Sequence, residues 1–505
     1  MDGFALTTDW LRARAIASPE ALAVRTDGLE YSFNKLDGMV SRLAGYLERE
    51  GAAAGDHVAM LMPNSLAAVC CVFALARLGI PVVPLNTRLT TSEISWQLAR
   101  ADCGRVLCLP STEDAAREAM NGCQALHVLP SAADFESWLA SRPMGDLHSV
   151  AGRDLNALQA IQFTSGTTGF PKGAMITFAN HLWGAIGSAF KLGVRPEDRW
   201  LVCLPLYHVG GMAVLFRSCL YGTAIVLQQG FDETSVINSL RTEEITMVSL
   251  VPTMLKRLLD AELNASQAPH LRLVLLGGAA APDELLGRAW RGGLPVAVTY
   301  GLTEATSQVA TMRPEGTRAK PGSSGRPLLF SEVDIRDEGG HPVGATLTGE
   351  VVVRGPTIMA GYYADEKATS ATVKDGWLHT GDVGYLDKDG DLWILNRRAD
   401  LIVSGGENIY PAEIERVLRS HPQIAEACVV GLPHADWGQQ VAALVQLDQP
   451  GELSREDLLR FTRQFLAGYK QPRVIAFTAA MPLTGPGKIH RRAVADLLEA
   501  VAEQV

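Results

Sequence analysis

The chain has 505 residues, of which 47% are hydrophobic and 20% are charged. This composition provides enough apolar side chains for several folded domains and argues against extended disorder. The formal net charge is −10, which argues against binding along the phosphate backbone of nucleic acids. An anionic ligand would therefore have to be held by local hydrogen-bond donors.

The N-terminus and the cysteines favour a cytoplasmic protein. Residues 1–10 include acidic residues and lack the basic and then apolar pattern of a secretory signal. The longest apolar run, at 66–76, is too short to span a bilayer and predicts a buried helix. The eight cysteines include no CxxC pair, which favours buried thiols over a metal site or disulfides. The sequence leaves the oligomeric state open, a homo-oligomer included.

Strands and helices are predicted to alternate over the first 300 residues. The predicted strands are 58–62, 82–85, 158–163, 200–204, 224–228, 246–251, 271–276 and 296–300. Helices are predicted at 65–78 and 211–221. This alternation is typical of α/β units around a parallel or mixed sheet.

Two further sequence patterns follow along the chain. From about residue 320, short strands with Gly-rich turns predict a β-rich subdomain that extends to about 397. After about residue 400 the pattern predicts a compact α/β module of domain size. Its predicted elements are a helix that opens at 410–418, strands at 427–430 and 441–446, and a helix at 454–468.

Residues 164–173, directly after the predicted strand 158–163, have the composition of a phosphate-binding loop. They contain three glycines, four hydroxyl residues and one lysine. Glycines let backbone N–H groups approach an anion, and hydroxyls add donors. Pro171 breaks the Walker pattern, and a flexible linker is the alternative. The candidate ligands here are Thr164, Ser165, Gly166, Thr167, Thr168, Gly169 and Lys172.

Other polar groups are spaced along the chain. Thr303 and Glu304 follow the predicted strand 296–300, at the strand end where α/β sheets bind ligands. Glu304 offers a hard oxygen suited to Mg²⁺. Asp382 offers a carboxylate for ribose hydroxyls, and Arg397 a guanidinium for phosphate or ribose. A glycine-containing turn places Lys488 near the C-terminus.

In this order, the motifs resemble those of the acyl-adenylate-forming superfamily, which includes acyl-CoA synthetases, adenylation domains of peptide synthetases and luciferases. The resemblance covers about residues 10–495 and rests on 164–173, 205–208, 300–304, 380–382, 404–411 and Lys488. It implies an α/β multidomain fold. A large N-terminal domain, 1–397, would contain two α/β subdomains plus a β-barrel. A small mobile α/β C-terminal domain, 398–505, would follow a hinge at 398–400.

The resemblance also implies a two-step reaction with ATP, Mg²⁺ and coenzyme A. A carboxylate attacks the α-phosphorus of ATP, and a thiol then displaces AMP from the acyl-AMP. Lys488 would stabilise the charge that develops in the first step, Lys172 would hold the β- and γ-phosphates, and Glu304 would bind Mg²⁺. The remaining ATP-site residues would be Gly278, Ala279, Ala280, Tyr300, Gly301, Asp382 and Arg397, and Thr303 would be a further catalytic residue. His208 would gate the acyl pocket, and the coenzyme A tunnel would be lined by Ser404, Gly405 and Gly406.

The segment 208–217 gives information about the class of substrate acid. It has no acidic residue to hold an amino group, so an amino acid is disfavoured by comparison with peptide-synthetase domains. No carrier-protein segment follows the C-terminal module, which favours free coenzyme A. Arg217 lies in an otherwise apolar predicted helix. It is either a structural residue or a bidentate partner for a second carboxylate on the substrate.

Locally, 204–211, 300–308 and 397–411 most resemble the o-succinylbenzoate–CoA ligase family of menaquinone biosynthesis. In that family an arginine at the Arg217 position is associated with the succinyl carboxylate. Gly210 stands where relatives commonly have serine, and Ser307 is the candidate replacement for the lost hydroxyl. Two alternatives remain. One is a medium-chain or aryl-acid CoA ligase with a structural Arg217. The other is a nucleotide-binding module without catalysis, which the joint presence of the motif residues argues against.

Overall fold

The structure is a computed structural model. It describes residues 9–120, 122–145, 154–164, 170–396, 401–448, 453–483 and 489–502. The described residues form two compact units. The first unit is drawn from 1–87, 98–162 and 173–396, and the second from 88–97, 163–172 and 397–505. The predicted hinge at 398–400 lies outside the described residues.

Strands and helices alternate over the first half of the chain. Up to residue 140 the elements are α1 (Trp10–Ala17), β1 (Leu22–Thr26), β2 (Leu29–Ser32), α2 (Phe33–Arg49), β3 (His57–Leu61), α3 (Leu66–Leu78), β4 (Val82–Pro84), α4 (Thr91–Arg100), β5 (Cys103–Cys108), α5 (Glu113–Ala119), β6 (Ala125–Val128) and α6 (Ala132–Ala140). They are followed by β7 (Leu158–Thr164), β8 (Lys172–Thr177), α7 (Phe178–Leu192), β9 (Arg199–Val202), α8 (Val209–Tyr221), β10 (Ala224–Leu227), α9 (Glu233–Thr242), β11 (Met247–Leu250), α10 (Pro252–Asp260), β12 (Leu273–Leu276) and α11 (Asp283–Arg291).

The second half is richer in strands. Up to residue 396 the elements are β13 (Val296–Leu302), β14 (Ser307–Met312), α12 (Pro314–Ala319), β15 (Ser323–Pro327), β16 (Glu332–Arg336), β17 (Gly349–Arg354), α13 (Glu366–Thr372), β18 (Val373–Lys374), β19 (Trp377–Leu386) and β20 (Leu392–Asn396). The last elements are β21 (Ile402–Ser404), β22 (Glu407–Ile409), α14 (Pro411–Arg419), β23 (Ile424–His434), β24 (Gly438–Leu447), α15 (Arg455–Thr462), β25 (Val474–Thr478) and α16 (Arg491–Ala502).

The first unit contains a six-stranded sheet in the order β6-β5-β3-β4-β7-β8. Its pairs β5–β6, β3–β5, β3–β4 and β4–β7 are parallel. The predicted helix at 65–78 is confirmed as α3, which Ser65 caps by accepting a hydrogen bond from the Ala68 amide. α3 ends at Gly79 in the left-handed conformation, the usual glycine stop. Almost all of α3 is buried, as its apolar run predicts.

A larger sheet has the order β16-β17-β19-β20-β15-β14-β13-β12-β11-β9-β10-β1-β2. Strands β9 to β13 form its parallel core, which confirms the predicted alternation. Strand β1 adds to this core in parallel with β10, although about 200 residues separate them. The strands predicted at 320–397 are also confirmed, and they form an antiparallel sheet at the position of the implied β-barrel.

The second unit contains a sheet in the order β22-β21-β24-β23, with β25 added in parallel to β24. Helices α14 and α15 pack on one set of its apolar residues and α16 on another. The helix predicted at 454–468 is shorter than expected, because α15 ends at Thr462. The chain turns there and buries Leu466 and Ala467.

A buried ion cluster holds the segment 88–97 within the second unit. Lys470 is 3% exposed, and its Nζ lies 2.6 Å from Glu93 Oε1 and 2.8 Å from Glu413 Oε1. Burial opposes the ammonium charge, but Glu413, Tyr469 and Glu93 outweigh burial and raise the pKa of Lys470. Breaking such a pair on one side would leave a charge uncompensated, so this cluster fixes where the segment packs. Within the described ranges, no helix is both long and apolar enough to cross a membrane.

Candidate active site

Tyr300 and Asp382 form a direct contact in the first unit. The Tyr300 hydroxyl donates a hydrogen bond of 2.6 Å to Asp382 Oδ2. The Asp382 amide donates to Thr380 Oγ1 at 3.0 Å, and that hydroxyl donates to the Val351 carbonyl at 2.6 Å. Gly381 has a φ of +72°, a left-handed conformation that glycine adopts without strain. The structure therefore brings together two predicted ATP-site residues that lie 82 positions apart.

The segment Gly278–Ala280 lies beside them. It follows β12, which pairs in parallel with β13, so that Leu276 is opposite Val298. Because parallel strands end at the same edge, Gly278 and Tyr300 come to the same carboxyl-terminal edge of the sheet. The φ of Gly278 is +83°.

Glu304 lies one turn beyond β13, in the short helical turn Thr303–Ala305. The Tyr362 hydroxyl donates to Glu304 Oε1 at 2.8 Å, and the Met359 amide donates to the Glu304 carbonyl at 2.9 Å. Ala174 of β8 pairs with Tyr362 as an isolated β-bridge. Glu304 is half-buried and is fixed by these contacts. A positioned hard oxygen of this kind fits Mg²⁺, which takes few carboxylates together with substrate phosphates.

The turn between β13 and β14 is strained. A Cβ placed on Gly301 would lie 1.6 Å from the Ser307 carbonyl oxygen, so only glycine fits there. Thr306 and Ser307 have φ values of +52° and +88°, which are unfavourable for residues with a side chain. The Thr306 hydroxyl anchors the turn by donating to the Thr357 carbonyl at 2.8 Å. Strain held in this way is common at ligand sites, and it fixes where Ser307, a predicted acyl-site residue, lies.

His208 immediately precedes α8, and its carbonyl accepts hydrogen bonds from the Gly211 and Met212 amides. Its ring contacts Tyr207 edge-on, with the centroids 4.7 Å apart. A Cβ on Gly211 would lie 2.3 Å from the Pro205 carbonyl oxygen, so glycine is required there. At Gly210 the nearest atom would be Leu204 Cδ1 at 3.6 Å. The space around position 210 would therefore accept a side chain, so packing does not explain the glycine there.

Arg217 is buried in α8, and no carboxylate among the described residues pairs with it. Arg217 is 2% exposed. Its Nε and Nη2 atoms are buried and have no hydrogen-bond partner in the part of the chain that the structure describes. The guanidinium carbon lies 6.0 Å from the centroid of the Trp200 ring. Burial lowers the pKa of Arg217, whereas Tyr221 acts in the opposite direction. A buried cation without an anion is costly, so a negative group supplied by a ligand would be stabilised here.

The surroundings of Arg217 are polar and equally unsatisfied. His181 is 3% exposed, and its Nε2 lies 2.9 Å from Gln159 Oε1. Its Nδ1 has no hydrogen-bond partner among the described residues. Burial and, to a smaller extent, the charge of Arg217 lower the pKa of His181 to about 3. Each of the two groups therefore has polar atoms that the described residues leave without a hydrogen-bond partner.

The other predicted residues fall in the second unit or outside the described ranges. Thr164 ends β7 and Lys172 begins β8, and these two strands are neighbours in the six-stranded sheet. Ser404 ends β21, and Gly405 and Gly406 follow with φ values of +59° and +86°. The predicted residues outside the described ranges are Ser165, Gly166, Thr167, Thr168, Gly169, Arg397 and Lys488.

A further cluster of three carboxylates surrounds the ammonium group of a lysine. Asp387, Asp389 and Asp391 are close enough to hold a cation. Lys320 Nζ lies 2.8, 2.6 and 2.6 Å from their oxygens. The lysine ammonium therefore takes the position that a metal ion would need.

Sequence reasoning missed Tyr362 and His181. Tyr362 follows Gly361, whose φ is +134°. Two consecutive tyrosines after a glycine weakly indicate a loop with an unusual backbone conformation. His181 is a single histidine in an otherwise largely apolar helix. Such a residue is more often a satisfied core histidine than a functional one, so the pattern alone does not select it.

The class of protein follows from comparison with known families. The family described as AMP-binding enzyme matches residues 11–363, and the family described as AMP-binding enzyme C-terminal domain matches residues 413–488. The chain belongs to the AMP-binding enzyme family. Its α/β multidomain fold class, with a large N-terminal and a small C-terminal domain, is thereby confirmed.

Relatives match over nearly the whole chain. The 2-succinylbenzoate–CoA ligase of Bacillus cereus (strain Q1) is 39% identical over 492 residues, which are 97% of this chain and 98% of the relative. A solved double mutant of o-succinylbenzoate CoA synthetase (MenE) from Bacillus subtilis, bound with its product analogue OSB-NCoA, has a TM-score of 0.90 and 37% identity, and covers 97% of this chain and 98% of its own. The same Bacillus enzyme in complex with ATP and magnesium ion has a TM-score of 0.73 and 36% identity, with coverage of 97% and 99%.

Proposed function

We propose that this chain is an AMP-forming acid–thiol ligase that converts 2-succinylbenzoate to its coenzyme A thioester, a step of menaquinone biosynthesis. The observation that carries the choice of acid is the buried guanidinium of Arg217, which has no carboxylate partner within the described ranges. A second carboxylate on the substrate would supply the missing anion. The likeness to 2-succinylbenzoate–CoA ligase over nearly the full length supports the same substrate.

In the first half-reaction a carboxylate oxygen of the acid bonds to the α-phosphorus of ATP, and the bond to pyrophosphate breaks. Two anions must meet, so the protein has to neutralise charge and align the reactants. Lys488 would stabilise the charge between carboxylate and α-phosphate. Lys172 and the hydroxyls of 164–169 would hold the β- and γ-phosphates, and Arg397 would assist.

The described geometry supports several further roles in this step. Asp382, held by Tyr300, would accept hydrogen bonds from the ribose hydroxyls, and Gly278–Ala280 would contact the adenine. Glu304, fixed by Tyr362, would hold Mg²⁺, which neutralises phosphate charge when bound. Thr303 adds a hydroxyl in the same turn as Glu304.

In the second half-reaction the sulfur of coenzyme A bonds to the acyl carbon, and the bond from that carbon to AMP breaks. His208 would gate the acyl pocket during this step, and Ser307 would contact the acid. Ser404, Gly405 and Gly406 would line the tunnel for the pantetheine arm, since glycine lets the backbone approach a ligand closely. We also propose a cytoplasmic setting, which is supported by eight free cysteines, seven of them buried.

A panel of acids tests the choice of substrate. The purified protein is assayed for coenzyme A-dependent AMP release with 2-succinylbenzoate, benzoate and octanoate. We expect the kcat/KM for 2-succinylbenzoate to exceed that for either monocarboxylic acid by about tenfold to a hundredfold, because only the dicarboxylic acid can pair with Arg217. Turnover of 2-succinylbenzoate no better than that of benzoate or octanoate would favour a medium-chain or aryl-acid ligase instead.

A further inference from the structure

Strand β19 contains a bulge at residues 380–382. On the two sides of this bulge, β19 pairs with β17 through His379 and Val352 and through Val383 and Glu350. Between these two pairs β19 has three residues, whereas β17 has one. A bulge interrupts the ladder of backbone hydrogen bonds and redirects the side chains that it carries. Its backbone groups therefore need other partners.

Side chains supply the hydrogen bonds that the bulge interrupts. The Thr380 hydroxyl donates to the Val351 carbonyl at 2.6 Å and accepts a hydrogen bond from the Asp382 amide at 3.0 Å. The Gly381 amide donates to Glu350 Oε1 at 3.0 Å. Glu350 therefore fixes the middle residue of the bulge from the neighbouring strand.

Glu350 also holds the residue that precedes the bulge. Its second carboxylate oxygen, Oε2, lies 2.8 Å from Nδ1 of His379. Because an ionised carboxylate only accepts hydrogen bonds, Nδ1 donates in this pair. Both side chains are partly buried, so water competes less for this contact than it would at an exposed site. One carboxylate thus joins the start of the bulge to its middle.

The bulge decides which face of the sheet Asp382 occupies. Asp382 is 7% exposed, and its Oδ2 accepts the hydrogen bond from Tyr300. Val383, the next residue, is exposed. Successive side chains of a strand alternate between its two faces, so a slip of one residue within the bulge would exchange the positions of these two side chains. The two hydrogen bonds to Glu350 oppose such a slip.

We propose that Glu350 and His379 are positioning residues for ATP, which hold the bulge of β19 in the register that directs Asp382 toward the ribose. Glu350 would act through the Gly381 amide, and His379 would act through Glu350, without contact to the nucleotide. Removal of the Glu350 carboxylate would leave the Gly381 amide to water and let Asp382 leave the orientation that meets the ribose. This inference rests on the proposed function, because it assumes that Asp382 accepts hydrogen bonds from the ribose hydroxyls.

The experiment compares ATP with dideoxy-ATP, which lacks both ribose hydroxyls, as the nucleotide in pyrophosphate exchange. For Glu350→Ala we expect the KM for ATP to rise about threefold to tenfold, as for the loss of one hydrogen bond. The KM for dideoxy-ATP should stay at its wild-type value, because that nucleotide offers Asp382 nothing to bind. The kcat should change much less than the KM for ATP.

Three further variants separate positioning from a general loss of structure. Glu350→Gln should restore the KM for ATP, because its amide oxygen still accepts from Gly381 and its amide nitrogen can donate to the other tautomer of His379. His379→Ala should give a smaller rise than Glu350→Ala. Glu332→Ala is the matched control, because Glu332 is a carboxylate of β16 in the same sheet that pairs with Arg354. It should leave both KM values unchanged.

Two results would overturn the inference. If Glu350 only stabilises the sheet, Glu350→Ala would melt at a lower temperature, and the KM values for ATP and dideoxy-ATP would rise in equal proportion or not at all. If the KM for ATP were unchanged in both Glu350→Ala and His379→Ala, the bulge would not depend on this pair. Wild-type protein with equal KM values for the two nucleotides would contradict the proposed role of Asp382. A wild-type preference for ATP that Glu350→Ala retains in full would overturn this inference alone.

Discussion

Replacing Lys488 with alanine is expected to abolish formation of the acyl-AMP while leaving thioester formation from preformed acyl-AMP largely intact. The first half-reaction brings a carboxylate against a polyphosphate, and the lysine would neutralise the charge that develops between them. Removing one group that stabilises transition-state charge typically lowers the rate by about 10²–10³-fold. The second half-reaction starts from a neutral acyl carbon, so it does not need that charge.

ATP–pyrophosphate exchange measures the first half-reaction, and a single-turnover assay with synthetic acyl-AMP and coenzyme A measures the second. Lys374→Ala, which removes a lysine from β18, is the control for loss of a positive charge. An equal loss in both half-reactions would contradict the assignment. Leu483 and Ile489, which flank the segment that contains Lys488, pair as an isolated β-bridge.

The second large effect is expected for Arg217→Met. The KM for 2-succinylbenzoate should rise about tenfold to a hundredfold, as expected for the loss of one charge-assisted contact. The KM for ATP should stay unchanged. Because Arg217 has no carboxylate partner in the described structure, its replacement by an apolar side chain of similar length should leave the free energy of unfolding unchanged or higher. Steady-state kinetics and urea unfolding measure the two quantities.

Arg77 provides the matched control, because it is also a buried arginine but is paired. It is 1% exposed, with Nε 2.7 Å from Asp9 Oδ2 and Nη2 2.5 Å from Asp37 Oδ1. Arg77→Met would remove this partner from Asp9 and leave Asp37 with Arg12 alone, and it should lower the free energy of unfolding by about 3–5 kcal/mol. If Arg217→Met destabilised the protein as much as Arg77→Met and raised the KM for every acid alike, Arg217 would be structural.

The position of Arg217 in α8 is consistent with a role in binding. Gly210 lies seven residues earlier, two helical turns away and on the same face. Because Gly210 has no side chain, the first turn of that face lacks one, and the buried Ala213 and Val214 lie between it and Arg217.

The sequence predicted the local elements well. The apolar run of α3 and the strands before Tyr300 have strong periodic patterns, so burial follows from them directly. Thr303 and Glu304 were predicted at the end of a strand because parallel sheets bind ligands there, and the structure places them there. These expectations depend only on short-range patterns.

Contacts between distant segments could not be predicted in this way. The pairing of β1 with β10 joins segments about 200 residues apart, and no periodicity specifies a partner. For the same reason the sequence did not predict the role of Tyr362, whose hydroxyl donates a hydrogen bond to Glu304, 58 positions earlier in the chain. The end of α15 at Thr462 was missed because burial of Leu466 and Ala467 outweighs helix propensity. That balance is set by tertiary packing.

The central claim is that the acid carboxylate attacks the α-phosphorus of ATP, and oxygen transfer tests it most directly. The protein is incubated with ATP, Mg²⁺, coenzyme A and 2-succinylbenzoate labelled with ¹⁸O in its carboxyl groups, and the products are analysed by mass spectrometry. Formation of a mixed anhydride at the α-phosphorus predicts one ¹⁸O atom in each AMP, an unlabelled pyrophosphate and the coenzyme A thioester. Labelled orthophosphate together with ADP, or AMP without the label, would contradict the account.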